Sequence, residues 1–146
     1  MIPPPSSQAL LAVLTLRSAQ PPAGSVIVQN HSSTDARIWD TGNTWGDDAL
    51  SFEVTAAGQN ALVSIAKKRL QRYTRNVPSS VVIAPGTQHE IPFDLGDGTW
   101  DLAVAQKLLV HAGAQIRAIY DSGDSPEVQA QGVWRGQLRT SFLPLE

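Results

Sequence analysis

The groups in this chain able to bind a metal or move protons near neutral pH are three histidines and thirteen carboxylates. The histidines, His31, His89 and His111, stand far apart, and no pair has ligand spacing. A three-histidine site would need the fold to gather them with a carboxylate such as Glu90. Cysteine is absent, which excludes disulfides, thiol catalysis, iron–sulfur clusters and cysteine zinc sites. Residues 40–48 (DTGNTWGDD) are the most unusual piece, with three Asp, one Asn, two Gly and Trp45. Hard oxygen ligands on such a loop suit Ca²⁺. The same residue types are those that tight turns require, and turn chemistry is the expectation, with no metal and no cofactor. Asp94, Asp97 and Asp101 form a second acidic group, and Asp121 and Asp124 a third. The third can join the first only if its loop lies at the same end of the fold. Trp45, with Asp47 and Asp48 beside it, is either tucked over the core or offered to a ligand. Tucking is expected, and the three together are one candidate binding group.

The second candidate group is basic. Lys67, Lys68, Arg69, Arg72 and Arg75 put five of the eleven basic residues into nine positions. On a strand, Lys67, Arg69 and, across a bulge, Arg72 share one face. Such charges protect a sheet edge from pairing with other chains, and they also suit an acidic partner. Tyr73 is the only aromatic among them, too few for the stacking that single-stranded nucleic acid needs.

Familiar catalytic patterns are missing. There is no G-x-S-x-G elbow, no phosphate loop, no H-E-x-x-H and no EF-hand loop. Gly96-Asp97-Gly98 reads as a turn, because Asp101 stands where a third dinucleotide-binding glycine belongs. Asn30-His31-Ser32 matches a glycosylation sequon, a match common by chance, and glycosylation is not expected. An enzyme is not expected either.

These residues need a frame to hold them. The chain has 146 residues, 42% hydrophobic and 16% charged, with a net charge of −2. That is one domain's length, too apolar for intrinsic disorder and too neutral to attract nucleic acid or an anionic membrane. The longest apolar run, residues 9–14, is too short to span a bilayer. No basic stretch precedes an apolar core near Met1, so no signal peptide is expected; the compartment is the cytoplasm or that of a mature secreted chain. Residues 1–7, with Pro3-Pro4-Pro5, read as a disordered lead-in to a single domain over 8–146.

Ten prolines and eleven glycines cut the chain into short segments, many alternating with period 2. Leu50, Phe52 and Val54 alternate with Ser51, Glu53 and Thr55. Ile91, Phe93 and Leu95 alternate with Pro92 and Asp94. Ile116, Ala118 and Tyr120 alternate with Arg117 and Asp121, and Ile119 spoils the pattern. Trp134, Gly136, Leu138, Thr140 and Phe142 oppose Arg135, Gln137, Arg139 and Ser141. Runs at 11–16, 25–29, 37–39, 62–65 and 81–84 add further strands. Only 101–111 (DLAVAQKLLVH) favours a helix, expected as one short turn near 100–106, with a strand over 107–111 as the alternative. Residues 66–74 are ambiguous.

Three pieces carry a resemblance. Residues 26–32 (VIVQNHS) resemble the second strand of many bacterial immunoglobulin-like domains. Residues 82–86 (VIAPG) followed by 91–93 (IPF) resemble their hairpin with a Pro-Gly turn. Residues 116–120 (IRAIY) and 132–141 (GVWRGQLRTS) resemble their closing strand pair. The resemblance implies an immunoglobulin-like antiparallel β-sandwich of about seven to nine strands with at most one short helix. It places Trp39 in the core. Some bacterial intracellular proteinase inhibitors look similar at this level, although the inhibitor motifs of chagasin-like proteins are not matched. The functional expectation is a non-enzymatic binding module whose partner is another protein. The alternative is a proteinase inhibitor working through loops 40–48 or 121–132, and a small enzyme or metal protein ranks third.

Overall fold

The computed structural model describes residues 10–40, 43–56, 58, 61–68 and 78–145. The proline-rich start therefore lies outside the described residues. Among those described, ten strands and three helical turns follow in the order β1 (Leu10–Ala19), β2 (Pro22–Asn30), β3 (Ala36–Trp39), α1 (Thr44–Ala49), β4 (Leu50–Ala56), β5 (Leu62–Ile65), β6 (Ser80–Ile83), β7 (Gln88–Asp94), α2 (Gln106–Leu109), β8 (Ala114–Asp121), α3 (Pro126–Ala130), β9 (Gln137–Arg139) and β10 (Leu143–Pro144). Every ladder is antiparallel. One sheet runs β1-β2-β7; the other runs β10-β8-β4-β5, with β9 also on β8; a short β3-β6 ladder stands apart. This is the all-β sandwich that the alternation implies.

Period 2 explains which face is buried. Along β4, Leu50, Phe52, Val54 and Ala56 are buried, and the residues between them are half-buried. Phe52 crosses the gap between the sheets, its ring centroid 4.6 Å from Phe93 on β7 and 5.3 Å from Trp100. Val26, Val28, Ile65 and Ile116 are fully enclosed around it. In β2, Gly24 is required by space: a Cβ there would sit 1.9 Å from the Thr15 carbonyl oxygen.

The helical turns differ from the expectation in number and place. Residues 99–101 are held extended, because Lys68 N–H donates to Thr99 O and Asp101 N–H donates to Ala66 O. A helix can begin only beyond that anchor, so the turn expected over 100–106 forms at Gln106–Leu109. α1 and α3 form inside stretches that read as loops. The long closing strand is broken as well. Gly136 has φ +151°, and a Cβ there would meet the Trp134 ring at 2.7 Å. The indole thus folds back over residue 136 and interrupts the ladder. The facing survives in part: Trp134, Leu138 and Thr140 are buried, Gly136 and Phe142 only half-buried, and Arg135, Gln137, Arg139 and Ser141 exposed.

Asn30 is 1% exposed and structural. Its amide donates to Thr34 O at 2.8 Å and Ile83 O at 2.7 Å, and its Oδ1 accepts from Ser32 N–H at 2.9 Å. The sequon is a turn clamp joining β2, β3 and β6. The folded chain should therefore carry no glycan on Asn30 when made in a glycosylating host, read by intact mass. Asn30→Ala should cost about 1–3 kcal/mol by orphaning buried carbonyls.

Tyr120, buried on β8, accepts a hydrogen bond at its hydroxyl from Trp39 N–H at 2.9 Å. Burial raises its phenol pKa well above the ordinary value. The unfolded chain then loses this proton first, so this group's stability contribution is intact below about pH 10 and is lost as pH rises from there through the folded value. Urea melts from pH 8 upward should show that alkaline loss reduced in Tyr120→Phe. The same variant should lose about 1–3 kcal/mol at neutral pH, because Trp39 N–H is left unpaired.

Candidate functional site

An open groove of about 660 Å³ lies on the outer face of the β4-β8-β9 sheet. Its floor follows from strand register. Ser51 stands opposite Ile119, and Ile119 opposite Arg139. Asp121 stands opposite Gln137, and Glu53 opposite Arg117. One wall is α1, presenting Trp45 and Asp48; the other is the 121–125 loop, presenting Asp121, Asp124 and Ser125.

Each wall has a local cause. α1 forms because Asn43 caps it: Gly46 N–H donates to Asn43 Oδ1 at 2.8 Å, the usual role of Asn before a helix. Asn43 in turn donates to Ser79 Oγ at 3.1 Å. The Trp45 ring lies 6.1 Å from that of Trp39, so it covers the core end and also faces the groove. Asp47 points to the opposite side, where Lys67 Nζ lies 3.2 Å away. Lys67 Nζ also stands 5.4 Å from the Trp100 ring, within cation–π reach. Behind α1 this pair borders a small cavity of about 70 Å³ with Trp39, Trp100 and Tyr120. The second wall is pinned by Ser122, whose Oγ accepts from Gly136 N–H at 3.1 Å and donates to Gly136 O at 3.3 Å.

The polar floor is partly tied together. Arg139 Nε donates to Gln137 Oε1 at 2.8 Å, and Gln137 Nε2 donates to Asp121 Oδ2 at 3.2 Å. Glu53 is paired with Arg117, Nη2 to Oε1 at 2.5 Å, and that guanidinium lies 4.6 Å from the Phe142 ring. The Asp48 and Asp124 side chains are exposed and make no hydrogen bond or ion pair among the described residues.

Of the residues singled out by sequence, Trp45 and Asp48 line the groove, while Asp47 and Lys67 form the latch behind it. Lys67 is thus held in a half-buried ion pair, and the solvated edge expected of it does not describe its surroundings. Arg69 and Arg72 lie outside the described residues. The loop of Asp121 and Asp124 does lie at the same end as residues 43–48. No three histidines or carboxylates among the described residues come close enough to hold a metal ion. Glu53, Ile119, Gln137 and Arg139 were missed as site residues. Ile119 had a signal, the apolar side chain on a wet face that spoils the alternation of β8.

No protein family, curated protein or solved structure matches the chain. No helix among the described residues is long and apolar enough to cross a membrane.

If the Lys67–Asp47 pair holds α1 as a wall, Lys67→Met should speed hydrogen exchange of amides 44–49 and leave β4 and β8 unchanged. A stable fold with unaltered α1 exchange is the contrary result. A single half-buried pair still open to solvent contributes about 1 kcal/mol, so global unfolding should shift little.

Proposed function

We propose that the protein is a non-enzymatic binding module that seats its partner in the groove between α1 and the 121–125 loop. The observation that carries this reading is convergence. Two loops distant in sequence meet over a sheet face whose volume, about 660 Å³, falls in the range of ligand sites. The side chains there combine an aromatic face, one apolar floor residue and hydroxyl, amide and carboxylate groups, the mixture that fixes a ligand's orientation. The most enclosed hydroxyl, Ser122, is committed to Gly136, and Asp121 holds Gly123 N–H and Gln137. These bonds suit a fixed surface better than a nucleophile with its base. Inhibition of a proteinase is the second reading, through residues 121–132. It has less support, because that stretch winds into α3 and buries Val128.

The test is capture and mapping. Protein immobilised through its C-terminus should retain a partner from the source cell, and a Trp45→Ala, Arg139→Ala variant should not. Amide shifts on adding that partner should concentrate at Ser51, Ile119, Asp121 and Arg139. Shifts clustered on β1, β2 or β7 instead would overturn the groove as the site.

A further inference from the structure

We infer that the occupant of the groove is a lysine- or arginine-bearing peptide segment of a partner protein. This rests on the reading of the groove as the binding site. The argument is charge complementarity over a formed cavity with an aromatic wall. Among the described residues, Asp48, Glu53, Asp121 and Asp124 line it against one base, Arg139. Glu53 is neutralised by Arg117, and Asp121 is engaged with Gln137 and Gly123. Asp48 and Asp124 are left as exposed carboxylates on facing walls, one on α1 and one on the opposing loop. Both carboxylates and Trp45 line the same cavity, so a cation seated there is drawn by the two charges, and an ammonium or guanidinium gains from the ring face. The chain already makes this arrangement once, behind α1, where Lys67 lies between Asp47 and the Trp100 ring. The half-buried Trp45 ring, with the small exposed part of Ile119 on the floor, gives an apolar surface beside which the methylene stem of Lys or Arg can lie. Ser51, Ser125 and Gln137 supply donors and acceptors along the groove that a peptide backbone uses and a simple polyamine does not. An anionic partner would face the unpaired carboxylates and is disfavoured.

The probes are a labelled, end-capped eight-residue peptide of alternating Lys and Ser, its Glu counterpart, spermine as competitor, and a neutral oligosaccharide. Binding is read by fluorescence anisotropy, or by amide shifts where the probe carries no label. The Lys peptide should bind, more weakly as ionic strength rises from about 0.02 to 0.3 M. Asp48→Asn with Asp124→Asn should weaken it by about tenfold or more. Trp45→Ala should also weaken it, while Asp35→Asn, outside the groove, should change nothing. Spermine should displace it only at much higher concentration than unlabelled peptide; equal competition would overturn the peptide assignment. If the oligosaccharide or Glu peptide binds in a Trp45-dependent way and the Lys peptide does not, the groove stands as a site and this inference falls. If no probe shifts a groove amide, the inference falls, while mapping of the captured partner decides the groove separately.

Discussion

The Tyr120 hydroxyl sits where three parts of the chain must agree. It accepts the backbone N–H of Trp39, and the Trp39 indole donates to Ser122 O at 3.0 Å. That joins β3 to β8 and fixes the first residue after β8. From this knot both groove walls follow. Trp39 offers its ring to Trp45, which sets how α1 lies; Ser122 clamps Gly136, which sets the 121–125 loop. With no cysteine in the chain, such buried polar bonds and apolar packing supply the cohesion. A buried polar group left unpaired is costly, so each of these contacts selects one arrangement over its near alternatives.

What the sequence made legible was facing. Alternation along 50–55, 116–121 and 134–141 separates most inward from outward residues, because period 2 belongs to the strand itself and needs no knowledge of neighbours. Ile119 is buried on the outward face and Gly136 is only half-buried. Phe142, expected inward, lies half-buried against the Arg117 guanidinium. Trp39 and Trp134 are 2% and 7% exposed, as their apolar surroundings imply. Where strands stop was less legible. The break at Gly136 depends on an indole folding back from residue 134, and the late start of α2 depends on Trp100 being held against Lys67 and Phe52. Both are tertiary events. α1 was hidden for another reason: Asn43, Gly46 and Asp47 serve a turn and a helix start equally well. The packing of Trp45 on Trp39 and the bond from Asn43 to Ser79, both tertiary, decide between them.

The candidate site was half legible. Trp45 and Asp48 stand out by residue type, since an aromatic in a Gly/Asp-rich loop is unusual wherever it lies. Asp47 stands out equally, yet it faces the other side of α1. Residues 47 and 48 are adjacent on a one-turn helix, and a step of about 100° sends them to different surroundings. One carboxylate is spent on Lys67 and the other is left at the groove. Composition cannot make that distinction, but helix geometry with a single anchor can.

The groove floor follows from the core by parity. Ser51, Glu53, Ile119, Asp121, Gln137 and Arg139 are all odd-numbered, and their even neighbours Leu50, Phe52, Ala118, Tyr120 and Leu138 are buried. The register that packs Phe52 against Phe93 is therefore the same register that presents these side chains outward. A one-residue slip would bring Glu53 and Arg139 inside and expel Phe52 and Leu138, which makes the floor as strongly specified as the core. Ile119 is the exception that completes the argument. It is an outward residue only 8% exposed, at the foot of the two walls. An apolar residue on the wet face is sheltered where α1 and the 121–125 loop rise on either side of it, and they stand there because Trp39 and Ser122 are tied at the same hydrogen-bonded knot.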